Sequence, residues 1–200
     1  MKKILVLGCT GSIGTSTLNI VRSMPEDFSI CGLTAHNNEK SLNFLSNEFS
    51  WDSVLTSKDG IEAIEALIQK TNPDIVVNGI AGAAGLLPSK ITVECGKKLA
   101  LANKETVVMA WPLIKELAFN KDAEIIPVDS EHSAIFSLIN QVGRNNIKNV
   151  IITASGGPFR TLSRDELEKV TVEQALQHPT WNMGKKITID SASLANKGLE

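Results

Sequence analysis

The chain has 200 residues, with Lys+Arg 20 against Asp+Glu 22, a formal charge of −2 and 42% hydrophobic residues. This apolar content excludes a disordered chain and predicts one domain, or one plus part of another, while the balanced charge disfavours nucleic-acid binding through bulk electrostatics. Six Phe, three Trp and no Tyr beside 14 Gly suit backbone-built small-ligand sites better than aromatic stacking platforms. The start, Met1-Lys2-Lys3 before Ile4-Leu5-Val6-Leu7-Gly8-Cys9, imitates a lipoprotein signal. Its apolar run is short of the roughly 7–15 residues of an h-region, so it reads as a buried first strand. Strand candidates Lys3–Leu7, Phe28–Thr34, Ser53–Leu55, Asp74–Asn78 and Lys98–Ala102 alternate with helical periodicity, such as Ile61, Ile64, Leu67 and Ile68. This alternation predicts an α/β fold with a doubly wound parallel sheet. From Glu124 the texture changes to strand–loop–helix units rich in Ser, Gly, Asp and Asn, with strands expected at Glu124–Val128 and Asn149–Thr153 and a helix at Ser133–Gln141. A domain boundary is expected near residue 128.

The longest apolar stretch, Ile75 to Leu87, is broken by Asn78 and several glycines and is shorter than the roughly 20 residues of a bilayer-spanning helix, so no membrane partner is expected. Cys9, Cys31 and Cys95 are an odd number without C-x-x-C spacing, which argues against a disulfide framework or structural zinc and fits a cytoplasmic location.

Gly8-Cys9-Thr10-Gly11-Ser12-Ile13-Gly14 follows the first strand and opens a helix. Glycines there let the turn close and the backbone approach a pyrophosphate seated on the helix N-terminus; a tight turn without a ligand is the alternative. An NAD-specific site would carry Asp or Glu about 20 residues on, at the end of the second strand. Here that place holds His36-Asn37-Asn38, donors without a carboxylate, so the cofactor is expected to be NADP(H). Asn103-Lys104-Glu105 follows the fifth strand, where open α/β sheets bind ligands and where a lysine can reach a substrate oxygen.

Asp129-Ser130-Glu131 leaves a strand, and in an extended segment residues i and i+2 point the same way, converging two carboxylates suited to Mg²⁺ or Mn²⁺. A helix cap is the competing reading. Ser155-Gly156-Gly157-Pro158 and Asp190-Ser191 are each expected to follow a strand. Ser191, Asn196 and Lys197 make a neutral-to-cationic donor set suited to a phosphate monoester. His178-Pro179-Thr180-Trp181 opens a loop able to close over substrate, with Gly184 as a hinge.

Together the strings GCTGSIG, GAAGLLP, LANKE, PVDSEH, SGGPFR, HPTWNMGKKITIDSAS and NKGLE resemble one family, the 1-deoxy-D-xylulose 5-phosphate reductoisomerases of the non-mevalonate isoprenoid pathway. The resemblance implies a Rossmann-like doubly wound sheet over residues 1–128 that binds NADPH. It also implies the first part of an α+β catalytic domain over residues 129–200, apparently truncated. It implies an NADP-dependent oxidoreductase and isomerase that turns 1-deoxy-D-xylulose 5-phosphate into 2-C-methyl-D-erythritol 4-phosphate with NADPH and Mg²⁺ or Mn²⁺. By the same resemblance Asp129, Glu131 and Glu200 are the metal ligands, and Lys104, Glu131 and His178 the catalytic set. Substrate contacts fall to Lys104, Ser130, Glu131, Ser155, His178, Ser191, Asn196, Lys197 and Glu200. Thr10, Gly11, Ser12, Ile13, His36, Asn37, Asn38, Asn103, Glu105 and Gly184 fall where the family holds NADPH. Between Phe44 and Asp74 the chain looks one strand–helix unit shorter than family members. The implied partners are a sugar phosphate and, in the full-length protein, a second copy. The alternatives are another NADP-dependent dehydrogenase, which needs no acidic metal site, and an inert nucleotide-binding fragment.

Overall fold

Strand β1 (Lys2–Leu7) is buried on both faces, Ile4 and Val6 packing to one side and Leu5 and Leu7 to the other, as a strand at the centre of a helix-covered sheet must be. In the computed structural model, which describes residues 1–200, β1 is flanked by β2 (Phe28–Ala35) and β4 (Ile75–Asn78). Strands β3 (Ser53–Leu55), β5 (Lys98–Leu101) and β6 (Ile125–Pro127) complete a six-stranded sheet in the order β3-β2-β1-β4-β5-β6. Every pairing is parallel. The expected α/β, Rossmann-like architecture is therefore observed, with strand ends within a residue or so of those read from the sequence.

Helices α1 (Ser12–Ser23) and α2 (Glu39–Phe49) cover one face, where Leu18, Val21 and Leu42 join Ile4, Val6, Ile30 and Leu33. On the other face, α4 (Ala63–Thr71) sets Ile64, Leu67 and Ile68 against Leu5, Leu7, Cys31 and Val76; the short α3 (Thr56–Asp59) precedes it. A third cluster joins α5 (Leu86–Glu94) and α6 (Lys104–Asn120) to β5 through Val93, Leu99, Leu101, Ile114 and Ala118. Pro112 inside α6 cannot donate its backbone hydrogen bond, and Ala110 accordingly departs from helical geometry, kinking the helix.

The chain divides into two units, Met1–Ser133 and Ala134–Glu200. Helix α7 (Ser130–Val142) begins three residues earlier than the sequence pattern suggests. Asp129-Ser130-Glu131 is thus not an extended segment: Ser130 and Glu131 form the first turn, and Asp129 stands before it as a cap, its Oδ1 accepting a long 3.5 Å bond from the His132 N–H. The second unit continues with α8 (Arg164–Leu167), α9 (Val172–Ala175), α10 (Lys185–Ala192) and α11 (Ala195–Leu199).

Two strand expectations fail there. Asn149–Thr153 pairs with nothing and leaves Ile151 85% exposed, because an apolar run becomes a strand only beside a ladder partner. The β-branched run Ile187-Thr188-Ile189 lies inside α10 rather than in a strand ahead of Asp190. There the Thr188 hydroxyl donates back to the Gly184 carbonyl at 2.9 Å, and Lys186 pairs with Asp190 one turn on. The three cysteines are free, Cys9 and Cys31 buried and Cys95 half-buried. No helix is long and apolar enough to cross a membrane.

Candidate active site

The sheet order reverses between β1 and β4, and the turn after β1 carries the glycine motif at that crevice, where open α/β sheets receive ligands. Gly8 takes a left-handed φ of +78°, which lets the Gly8 and Cys9 N–H groups both donate to the Thr34 carbonyl, at 3.1 and 2.8 Å. Gly11 caps α1 without a side chain, and no acidic residue lies in the first turn. The first-turn N–H groups and the positive helix end are thus left for an anion. A Cβ on Gly14 would stand 2.4 Å from the Gly8 carbonyl oxygen, so glycine there is what lets α1 close on the turn. Thr10, Gly11, Ser12 and Ile13 all sit in this turn and first helical residues.

At the end of β2, the exposed His36 sets Nδ1 3.1 Å from the Thr56 hydroxyl. Asn38 caps α2, its Oδ1 accepting from the Ser41 N–H at 3.1 Å, so what its carboxamide offers a ligand is the NH₂ group. Asn37 lies between them. Sequence reading passed over Thr56 and Lys58. They stand beyond Leu55, which pairs in register with Ala35, so the end of β3 comes beside His36. Only the strand pairing reveals this neighbourhood. Lys58 is ion-paired with Glu39 at 2.7 Å.

The ends of β4 and β5 are joined by a buried polar network that the sequence did not signal. Asn78 Nδ2 donates to the Gly85 carbonyl and Ser89 Oγ, both at 2.8 Å, while its Oδ1 accepts from the Ile80 N–H at 3.1 Å. Ser89 Oγ lies 3.3 Å from Thr106 Oγ1, which donates to Asn103 Oδ1 at 2.6 Å. The same Asn103 oxygen caps α6 through the Thr106 N–H, and its Nδ2 holds the Ile80 and Gly82 carbonyls, each at 2.8 Å. Asn103 therefore spends its side chain on the scaffold, tying the loop after β4 to the first turn of α6. Glu105 lies in that turn, its Oε2 3.2 Å from Asn103 Nδ2.

Lys104 is the first residue of α6, and its Nζ is 2.7 Å from Asp129 Oδ2, with the two side chains only 8% and 11% exposed. Carboxylate oxygens of Asp129 and Glu131 lie within 4.8 Å of one another. Ser130 Oγ donates to Glu131 Oε2 at 2.5 Å. Oxygen-only donors with two anionic charges match the preference of Mg²⁺ or Mn²⁺. The turn of a helix brings them together as well as the extended segment expected from the sequence would have done.

In the second unit, Ser155 Oγ and His178 Nε2 are 3.1 Å apart. His178 Nδ1 accepts from the Thr180 and Trp181 N–H groups at 3.1 and 3.0 Å, so a neutral ring carries its proton on Nε2 and donates it to Ser155. The Gly157 N–H donates to Ser155 Oγ at 3.3 Å, and Gly156 and Gly157 both take positive φ. A Cβ on Gly157 would meet the Ser191 carbonyl oxygen at 2.9 Å, so the Ser-Gly-Gly turn packs against α10, whose cap is Gly184. Beyond it, Asn196 Nδ2 donates to Glu200 Oε1 at 2.6 Å and Lys197 Nζ to Glu200 Oε2 at 2.5 Å. These residues thus form two groups, Ser155 with His178, and Asn196 with Lys197 and Glu200; Ser191 stands between them in sequence on α10.

Comparison with known proteins agrees with these motifs. Two family models match: that of 1-deoxy-D-xylulose 5-phosphate reductoisomerase over residues 4–60 and 55–111, and that of the reductoisomerase C-terminal domain over residues 125–200. The two first-domain stretches meet at residues 55–60, inside the segment expected to be short. The chain is 48% identical over 208 residues to the 1-deoxy-D-xylulose 5-phosphate reductoisomerase of Treponema denticola, covering all of this chain and 55% of that one. It is 44% identical over 218 residues to that of Thermoanaerobacter sp., covering 57% of it. A crystal structure of DOX-P reductoisomerase in complex with NADPH, fosmidomycin and magnesium superposes with a TM-score of 0.88 at 35% identity, covering all of this chain and 56% of that one. The Zymomonas mobilis enzyme in complex with NADPH gives 0.83 at 35%, covering 99% and 56%. The chain spans about half the length of the curated relatives it matches. With family models matching along most of its length, the chain belongs to the 1-deoxy-D-xylulose 5-phosphate reductoisomerase family.

Proposed function

We propose that this chain carries the NADPH site, the divalent-metal site and part of the substrate site for conversion of 1-deoxy-D-xylulose 5-phosphate to 2-C-methyl-D-erythritol 4-phosphate in non-mevalonate isoprenoid synthesis. The observation that carries this reading is the Lys104–Asp129 pair. Support comes from its position: the end of a dinucleotide-type sheet lies beside carboxylates suited to a hard ion, which a simple NADP-dependent dehydrogenase does not need. The relatives solved with NADPH and magnesium support the same reading.

Under this proposal residues 1–128 bind NADPH and residues 129–200 begin the catalytic domain. Thr10, Gly11, Ser12 and Ile13 hold the pyrophosphate on the α1 N-terminus, and His36, Asn37 and Asn38 donate to the 2′-phosphate. Asn103 and Glu105 shape the nicotinamide side, and Gly184 is a further cofactor contact. Asp129, Glu131 and Glu200 hold the ion. Lys104, Ser130 and His178 contact the substrate's hydroxyl, carbonyl or phosphate end, and Ser155, Ser191, Asn196 and Lys197 bind phosphate and hydroxyl groups. When bound, the dinucleotide supplies the hydride and the ion polarises substrate oxygens. The chain's own residues position these oxygens and move protons: the Lys104 ammonium donates toward a substrate oxygen, and the His178 Nε2–H stands ready to donate through Ser155. We further propose a cytoplasmic protein whose full-length form is a homodimer.

The test is NADPH oxidation with 1-deoxy-D-xylulose 5-phosphate, with and without Mn²⁺, run on this chain and on a full-length relative. Metal-dependent turnover supports the assignment. Oxidation that is indifferent to metal refutes it in favour of an ordinary dehydrogenase. Cofactor binding without turnover identifies this span as a binding fragment. NADPH should bind at least about tenfold more tightly than NADH, about 1.4 kcal/mol, and equal affinities refute the role of His36–Asn38.

A further inference from the structure

Lys104 stands in an electrostatically adverse place. It is the first residue of α6, where the helix dipole presents its positive end, and its side chain is almost wholly out of water. The carboxylate of Asp129, 2.7 Å from Nζ, offsets this, as does the acidic Glu105 in the same turn. The backbone beneath it is fixed: Asn103 caps α6 and ties the first turn to the Ile80 and Gly82 carbonyls. Any rearrangement of Lys104 is therefore a swing of its four-carbon stem about a pinned Cα, not a movement of the helix.

Asp129 carries a single negative charge. An ion held by Asp129 and Glu131 would sit about 2.0–2.1 Å from their oxygens, within a few ångströms of an ammonium that faces the same carboxylate. A divalent charge and an ammonium repel at that spacing, and the Lys104 and Asp129 side chains are largely out of the water that would screen them. We propose that Lys104 is the placeholder cation of the metal site: its ammonium neutralises Asp129 before the ion arrives, and the arriving ion ejects it. The freed ammonium is then available to an oxygen of the substrate. Metal loading thereby arms the lysine, and the metal binds before the substrate engages Lys104. This rests on the assignment of Asp129 and Glu131 as metal ligands made above.

Linkage makes the proposal measurable from both sides, because an ammonium that opposes the ion by some factor is itself displaced by the ion with the same factor. In the whole 200-residue chain, Mn²⁺ affinity is read from the electron paramagnetic resonance of free Mn²⁺, for wild type and Lys104→Met. Removing the competing charge while keeping an unbranched side chain should tighten Mn²⁺ on the order of tenfold, within the roughly 5–150-fold span of such couplings. The second measurement needs no variant. Competitive acylation of wild type with acetic anhydride, quantified by peptide mass spectrometry against the exposed Lys115, should show Lys104 reacting several-fold faster once Mn²⁺ is bound. Mn²⁺ bound equally tightly by both proteins, or bound with Lys104 still protected, overturns the placeholder: the lysine then remains on one Asp129 oxygen while the ion takes the other. If neither protein binds Mn²⁺, it is the metal assignment itself that falls, and the placeholder with it.

Discussion

Replacing Gly14 by alanine separates what the glycine turn does for the fold from what it does for a ligand. The new Cβ would lie 2.4 Å from the Gly8 carbonyl oxygen, 2.5 Å from Cys9 Cα and 2.6 Å from the Cys9 carbonyl carbon. All three obstacles are backbone, so no side chain can rotate away, and α1 must retreat by about 0.6 Å to reach even a 3.0 Å contact. Overpacking of this kind costs about 3 kcal/mol at the upper end of its usual range. Alanine regains about 1 kcal/mol of helix propensity, leaving a net loss of about 2 kcal/mol. For a chain of this size that lowers Tm by roughly 4–8 °C. The retreat also pulls the first-turn N–H groups away from the pyrophosphate, so NADPH should weaken about tenfold, about 1.4 kcal/mol. Gly11→Ala is the contrast. Its Cβ would meet the Gly8 oxygen at 3.4 Å, an ordinary contact, at a φ of −85° that alanine adopts readily. Tm should fall much less than for Gly14→Ala, since alanine meets no backbone clash and is only a poorer cap than glycine, while NADPH should weaken because the methyl group is added at the anion-facing turn. Differential scanning fluorimetry and fluorescence titration read the two quantities. An unchanged Tm for Gly14→Ala refutes the packing argument, and wild-type NADPH affinity in both variants refutes the pyrophosphate assignment.

Thr106→Val should lower stability by about 1–3 kcal/mol in urea unfolding, since it removes a buried donor to Asn103 Oδ1 and a partner of Ser89. Thr106→Ser should restore most of that loss; a valine variant as stable as wild type would show that the network contributes nothing. Glu131→Gln should weaken Mn²⁺ strongly in calorimetry while leaving NADPH affinity intact, because one of two adjacent anionic ligands is gone and the glycine turn lies elsewhere; equal Mn²⁺ affinity refutes its role as a ligand. Burial pushes the Cys9 thiol up to about 11 and raises those of Cys31 and Cys95, but only Cys95 is partly exposed to a reagent. Iodoacetamide at about pH 8 should therefore spare Cys9 and Cys31 in the native protein and modify the half-buried Cys95 first, as peptide mapping will show.

The sheet was legible because its strands are buried on both faces and read as short, uninterrupted apolar runs between turn residues; Ile4–Leu7 and Ile75–Val77 have no other sensible reading. The same rule misled at Val150–Ile152, where the run is as apolar but joins no ladder. Asp129 and Glu131 were singled out for their chemistry, and it is their backbone, a helix start and not a strand, that the sequence misjudged. A carboxylate before a helix and one in its first turn approach each other much as alternate residues of a strand do, so two backbones serve one donor set. The Asn78–Ser89–Thr106–Asn103 network was invisible, because residues separated by a whole helix meet only once β4 and β5 lie side by side.

The strand order also dictates when this fold can exist. Of the six strands of this sheet β1 is made first, and it is a central one, paired with β2 on one side and with β4, some seventy residues later, on the other. Until β4 emerges, the nascent β3-β2-β1 half-sheet offers an unpaired apolar edge, the form most prone to intermolecular pairing. The long loop closure between β1 and β4 slows its burial. Since the crevice beside the glycine turn is made by that same late pairing, acquisition of dinucleotide binding during synthesis would mark the moment at which the vulnerable edge is closed.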